Sequence, residues 1–413
     1  MFVFLSHKLD EAHKNLWRIP MHKLYQAAEA CFDEIVEIRR TLHRWPELGR
    51  TEVRTSQLIF DKLTELGVES IQRYEPTTVV GYIHGKKGPG KTIAIRADID
   101  ALAVTEETGL PFSSEHTGFM HCCGHDMHVA MLLGVAKILL AQREAFAGSV
   151  KLIFQHSEDT LPGGAKELVE SGIMDDVDAI FGMHMYPDET AGRVMIHPGP
   201  LTTSVDLFDV TVVGKGGHGS TPHLTRDPIL AACQMVVALQ QIPSRRIDPL
   251  DTVIAPVCSF HSGDAPNVIP NEAKFGGVAR AYEDSVRKQL TEEYFAIGKG
   301  IEAMTGCQVN IHHYEGYPSV YNDHALTALV HRAAVEVMGE ALVEDRKDPF
   351  SFSEDFSYFT KMTGKPGCYF MVAGGYTGDQ SYPLHSPKCS MREEAMLTGM
   401  SVMSNAALTY LAE

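Results

Sequence analysis

Apolar positions recur at three- and four-residue spacing over Tyr25–His43 and Thr51–Leu66, the period of helices that bury one face. Strand-like apolar runs follow at Val79–His84 and Thr92–Ala97, separated by the turn-forming GKKGPGK. The alternation continues with a helix over Asp126–Glu144, a strand over Val150–Gln155, a short helix near Ala165–Ser171 and a strand over Ala179–Met183. Strands alternating with helices in this way predict an α/β fold with a central, mostly parallel sheet flanked by helices.

The rhythm changes near Val205. Strand Val205–Val213, helix Asp227–Ile242, strands Thr252–Phe260 and Lys274–Tyr282, helix Ser285–Thr305 and strand Cys307–Tyr314 give the order β-α-β-β-α-β. That order predicts a ferredoxin-like unit large enough to fold as an insertion. Helix His324–Met338, a helical stretch near Ser353–Thr363, strand Cys368–Ala373 and helix Arg392–Leu411 resume the first pattern. The expected organisation is a discontinuous α/β domain, residues 1–200 and 316–413, interrupted by an inserted domain at 201–315. A length of 413 residues, too great for one typical core, agrees with two domains.

A formal net charge of −17 would repel nucleic acid and anionic membranes, so neither is expected as a partner, and a small soluble substrate is. The most apolar helical run, His128–Ala141, is interrupted by Lys137 and falls short of the eighteen or more residues of a membrane span. The opening MFVFLSHKLDEAHK has an apolar stretch too short for a secretion signal and no basic residues before it, so a cytoplasmic location is expected. Eight cysteines lie scattered without a disulfide framework, and in a reducing compartment metal ligation is the more plausible use.

Open α/β sheets bind ligands beyond the carboxyl ends of their strands, and five places there carry chemistry. TIAIRADIDAL sets Asp98 and Asp100 after a strand, either as solvated turn carboxylates or with Asp100 orienting a metal-bound histidine. MHCCGHDMH is the strongest local signal. Thiolate and imidazole are preferred ligands of zinc and similar ions, and Gly124 lets Cys123 and His125 converge; Cys122 reads as a small core residue. KLIFQHSEDTLPGG runs a strand into Glu158 and Asp159; one carboxylate can bind metal while its neighbour, its pKa raised by the like charge, serves as a general base. AIFGMHMYP and YPLHSP place His184 and His385 in strand-end and loop positions. A lone histidine is more often structural, and spacing alone does not decide these two.

Taken in order, RADIDAL, MHCCGHDMHVAMLLG, FQHSED, GMH, GKGGHGSTPH, NVIP, SEDFSYF and LHSP make the chain resemble the metallo-aminoacylase family, from about residue 35 to the C-terminus. That family includes hippurate hydrolases, bacterial N-acyl-amino-acid amidohydrolases and plant auxin-conjugate hydrolases. The resemblance implies two divalent metal ions per subunit (manganese, zinc, cobalt or nickel) on Cys123, His125, Asp159, His184 and His385, with Glu158 as the catalytic base. It also implies that the inserted domain is a lid and dimerisation domain whose His218 reaches the active site of the partner subunit in a homodimer or higher homo-oligomer. Asn267 and Arg280 match positions that hold the substrate carboxylate, and the implied substrate is an N-acyl amino acid.

The sequence departs from the family pattern in three places. The usual Pro-Ala-Glu-Glu reads His156-Ser157-Glu158-Asp159, so the metal-binding glutamate is one methylene shorter and His156 stands close enough in sequence to interact with the cluster. The alanine before Cys123 is Cys122, and the aromatic residue after His-Ser-Pro-x is Cys389. Two other readings stay open: a metallo-carboxypeptidase or dipeptidase on the same scaffold, and a non-catalytic metal- or ligand-binding protein.

Overall fold

A computed structural model describes residues 22–376 and 381–413; the N-terminal stretch weighed above as a secretion signal lies outside the described residues. The described residues open with α1 (Lys23–Arg44) and α2 (Val53–Glu65), then β1 (Ser70–Tyr74), β2 (Thr78–His84) and β3 (Thr92–Asp98). Next come α3 (His125–Ala141), β4 (Ser149–Gln155), α4 (Gly164–Glu170), β5 (Ala179–Thr190) and β6 (Val194–Ile196). The intervening segment holds β7 (Asp206–Val213), α5 (Pro228–Leu239), β8 (Val253–Ile254), β9 (Val257–His261), β10 (Glu272–Ala281), α6 (Asp284–Thr305) and β11 (Gln308–Glu315). The chain closes with α7 (His324–Met338), β12 (Val343–Asp345), α8 (Ser357–Lys361), β13 (Gly367–Gly375) and α9 (Ala395–Ala412).

The large sheet has the order β1-β2-β4-β3-β5-β13-β6-β12. Its centre is parallel: β4 with β3, β3 with β5, and β5 with β13. Antiparallel pairs flank that centre, β1 with β2, β2 with β4, and β13 with β6. The short strand β6 runs against β13 because only the turn at Ala191–Gly192 separates it from β5, too little chain for a crossover helix.

Helix α1 buries Leu24, Ala28, Cys31, Ile35, Ile38 and Leu42, the stripe its apolar spacing predicts, against α3 and α9. Helix α3 is apolar all round and buried along nearly its whole length, so it lies inside the domain rather than on it. Each of its buried leucines and methionines contributes about 1.5–3 kcal/mol through removal from water. One apolar cluster fills the face covered by α1, α3, α7 and α9, and a second fills the opposite face around Phe356, Phe359 and Tyr369.

Strands β7 to β11 form their own antiparallel sheet, β8 and β9 pairing with β10, then β7, then β11, with α5 and α6 packed on it over a third cluster around Phe208, Met235 and Tyr294. This is the ferredoxin-like arrangement. The expected single strand Thr252–Phe260 is divided at Ala255–Pro256, with a register shift beyond it, because proline has no N–H to give the ladder. The chain enters and leaves this region at Asp206 and Gly316. Asp206 accepts from the Gly316 N–H (3.1 Å) and pairs with Arg287 of α6, whose Nη2 also donates to the Gly316 carbonyl (2.9 Å).

The expected helical stretch Ser353–Thr363 is helical only over Ser357–Lys361. The preceding Ser353–Phe356 is committed elsewhere: the Glu354 carboxylate accepts from the Phe356 N–H, and Asp355 turns toward the strand ends.

Candidate metal centre

Strand β3 ends at Asp98 and places Asp100 two residues on; β4 ends at Gln155 and delivers Glu158 and Asp159; β5 carries His184. Gly124 adopts φ +91°, the left-handed conformation that turns the chain into α3 directly after Cys123, so His125 becomes the first residue of that helix. His385 also lies in the left-handed region (φ +65°), as does Ser157 (φ +55°) just before Glu158. Such conformations cost about 1–3 kcal/mol each in non-glycine residues and persist where surroundings hold them. The His385 N–H is fixed by the Cys122 carbonyl at 2.9 Å.

These elements bring Cys123, His125, Asp159, His184 and His385 into one cluster, in which Cys123, His125 and His184 are buried, Asp159 is partly buried and His385 is exposed. Within it Cys123, His125 and His184 form one group, and Cys123, Asp159 and His385 another, with donor atoms all within 4.8 Å of one another in each. The Cys123 sulfur is 3.5 Å from His184 Nε2 and 3.3 Å from His385 Nε2. Asp159 Oδ1 is 3.5 Å from His385 Nε2, and its Oδ2 is 3.9 Å from His125 Nε2. The shorter Asp159 therefore still reaches both neighbours.

Ring orientation is set from behind. His125 Nδ1 donates to the Asp100 main-chain carbonyl (2.9 Å) and His184 Nδ1 to the Met185 carbonyl (2.7 Å), which leaves each Nε2 as a lone pair facing the cluster. His125 Nε2 and Asp159 Oδ2 are buried with no hydrogen-bond partner. Burial, reinforced by Asp159 and Glu158, pushes the Cys123 thiol well up, and burial pushes Asp159 up to about 7. Two buried ligand atoms, His125 Nε2 and Asp159 Oδ2, thus face the cluster with nothing to bond. Divalent cations fit that donor set of one thiol, three imidazoles and one carboxylate.

Glu158 is buried beside the cluster, its Oε2 4.0 Å from His125 Nε2 and its Oε1 accepting from the Asp355 N–H at 3.3 Å. Burial, with Glu354, Asp159 and Asp355 nearby, raises its carboxyl well above the usual range. Its main chain is held on both sides. The Asp100 carboxylate accepts from the N–H groups of Glu158 and Asp159 (3.0 Å each), and the Tyr317 hydroxyl donates to the Glu158 carbonyl.

Several supporting residues escaped the sequence reading of roles. His128 Nδ1 donates to Asp98 Oδ1 (2.6 Å) while its Nε2 accepts from the Met185 N–H (2.8 Å), which fixes the main chain beside His184. Arg96, fully buried, reaches Asp98 (2.6 Å), Asp355 (2.6 Å) and Glu354 (3.1 Å). RADIDAL and SEDFSYF were visible as motifs; that one arginine joins them was not.

His156 stays out of the cluster. It bonds Thr78 through Nδ1 (2.7 Å) and Glu167 through Nε2 (2.6 Å). Cys122 packs with Met120 and Cys389 in a small buried apolar cluster, as a core residue would. His218 and Asn267 also lie outside the cluster: His218 is exposed, its Nδ1 accepting from the Ser220 N–H (3.1 Å), and the next residue, Gly219, donates to the Asn267 carbonyl. Arg280, half-buried on β10, donates to Ser353 Oγ at 3.3 Å, and no carboxylate among the described residues pairs with it.

The sequence profile of peptidase family M20/M25/M40 matches residues 94–409. The chain belongs to that family. Among M20 relatives, it is 37% identical to the N-acetyl-L-cysteine deacetylase of Bacillus subtilis, over 92% of this chain and 88% of the relative. It is 38% identical to thermostable carboxypeptidase 1 of Saccharolobus solfataricus, over 92% and 96%. The crystal structure of the Bacillus subtilis YXEP protein, a dinuclear metal-binding peptidase of the M20 family, superposes with a TM-score of 0.81 at 31% identity, over 93% of this chain and 99% of that one.

Proposed function

We propose that this M20 chain is a metal-dependent amidohydrolase that removes the acyl group from N-acyl amino acids. The observation that carries the reading is a buried carboxylate, Glu158, next to five converging metal donors but not one of them. Two divalent ions on Cys123, His125, Asp159, His184 and His385, of manganese, zinc, cobalt or nickel type, would supply Lewis acidity, polarising the amide carbonyl and lowering the pKa of water from about 16 toward about 7.

The chain's own groups do the rest. Glu158 takes the proton of the attacking water and hands it to the leaving amine, a role its raised carboxyl suits. Asp100 keeps His125 in the required tautomer and fixes the Glu158 peptide. Arg280, a half-buried guanidinium without a carboxylate partner among the described residues, offers a planar fork to the carboxylate of the amino-acid half, with Asn267 assisting. The strands of residues 201–315 serve as lid and dimerisation domain between catalytic segments 1–200 and 316–413, and exposed His218 acts in the site of the partner subunit. A cytoplasmic setting suits a thiol ligand, which oxidation would remove.

Similarity to a thermostable carboxypeptidase favours one second reading, cleavage of peptides on the same scaffold. A panel of hippurate, N-acetylmethionine and simple dipeptides, offered to metal-loaded enzyme, separates the two. Turnover of the acyl amino acids alone supports the amidohydrolase; turnover of dipeptides alone replaces it with the peptidase.

A further inference from the structure

One short segment runs from the metal cluster to the Arg280 guanidinium. The Phe352 ring centroid lies 5.9 Å from that of His184, whose Nε2 faces Cys123, and the next residue, Ser353, accepts the hydrogen bond of Arg280. The segment is fixed. The Thr203 N–H donates to the Phe352 carbonyl (2.9 Å), and its hydroxyl faces that carbonyl (3.1 Å) and the Ser351 carbonyl (2.9 Å). Phe350 braces the ring from behind, 5.3 Å from Phe352 and 5.0 Å from Tyr186, centroid to centroid. Phe352 itself remains partly exposed, so a rigid aromatic surface borders the space between the cluster and Arg280.

In an N-acyl amino acid the scissile nitrogen and the carboxylate share one carbon, Cα, and the side chain leaves from that same carbon. A substrate with its amide at the metal cluster and its carboxylate on Arg280 has Cα in the interval that Phe352 borders. From this geometry, and resting on the amidohydrolase reading above, we infer that Phe352 is the wall of the pocket for the amino-acid side chain. The amino-acid half is then aromatic or large and apolar, since a flat ring rewards ring stacking and apolar burial and gives nothing to glycine or to an anionic side chain.

The test uses full-length, metal-loaded enzyme with N-acetylphenylalanine, N-acetylleucine, N-acetylglycine, N-acetylglutamate and N-benzoylglycine, comparing wild type, Phe352→Leu and Phe352→Ala. The expected kcat/KM ratio of N-acetylphenylalanine to N-acetylglycine is about tenfold or more in wild type. Phe352→Ala should bring it close to one, and Phe352→Leu should keep preference for apolar side chains while losing phenylalanine over leucine. Calorimetric binding of N-acetylphenylalanine to Glu158→Gln protein, with and without Phe352→Ala, should weaken in parallel. A wild-type ratio near one, a ratio that survives Phe352→Ala, or a change confined to benzoyl against acetyl would overturn the assignment while the amidohydrolase reading stands. Failure of wild type on every acyl amino acid overturns the amidohydrolase reading itself, and this inference with it.

Discussion

The hydroxyl of Tyr317 donates to the main-chain carbonyl of Glu158 across 2.6 Å, inside the protein. Tyr317 is the first residue after Gly316, where the chain returns from the second sheet, and the Gly316 carbonyl is itself held by Arg287 and by Tyr358. One peptide of the proposed base is thereby tied to the crossing point between the two sheets, while Asp100 holds its other side. Replacing Tyr317 by Phe removes only that bond. The expected result is a kcat lowered by about two- to tenfold with KM and metal content unchanged, from a net loss of about 0.5–1.5 kcal/mol in positioning. Steady-state kinetics with metal analysis checks it; an equal rise in KM would place the tyrosine in substrate binding instead.

Glu158→Gln keeps the shape of the side chain and abolishes proton transfer. Turnover should fall by about a hundredfold or more, the scale of a lost acid–base group, while bound metal stays at the wild-type level. Persistent turnover would move the base elsewhere.

Both Asp100 carboxylate oxygens accept from main-chain N–H groups, and Oδ1 also lies 3.2 Å from Nδ1 of His125, so Asp100 supports the cluster from two sides. In Asp100→Ala those two N–H groups lose their acceptor and the 157–159 loop its anchor. Metal affinity, measured by competition with a chelator, should drop by about 10–100-fold. Unchanged affinity would show that the loop holds its shape without it.

Far less of this support than of the ligand set was legible beforehand. Cys123 and His125 stand two residues apart around a glycine, so local chemistry exposes them; Glu158 and Asp159 follow an apolar strand and His184 follows an apolar run within β5, which continues past it to Thr190. His385 stood out only as a lone histidine between prolines in a loop, since its neighbours in space come from elements far away in sequence, and the family resemblance was needed to join it to the ligand set. Arg96 reads as an ordinary charge in a strand, and its contacts with Asp98, Glu354 and Asp355 exist only once β3 sits beneath the segment before α8. The same cause hid the non-helical run at Ser353–Phe356: its helical pattern was overridden by tertiary hydrogen bonds to Glu354 and Asp355. The antiparallel strand β6 was missed because three residues are too few for any periodicity to register.

Glu52 offers a prediction on stability. It is buried, bonded to the Thr77 hydroxyl and the Ser157 N–H, and burial raises its carboxyl from the ordinary 4.5 to about 6. A carboxyl raised on folding favours the native state below the unfolded value, and that contribution is lost as pH rises through about 6. Glu52→Gln removes the titration. Relative to wild type, the variant should therefore gain about 2 kcal/mol of stability between pH 4 and pH 8, read from urea unfolding at both values. A stability difference independent of pH would show that Glu52 does not titrate in this way.

Everything proposed for the chemistry rests on five side chains from distant parts of the chain closing around two cations. The direct measurement is anomalous diffraction from crystals of the full chain grown with manganese or zinc. Two peaks per chain are expected, enclosed by Cys123, His125, Asp159, His184 and His385, with Glu158 alongside and His156 remote. Density for ions only at other places on the molecule, with these five side chains bare, would contradict the account.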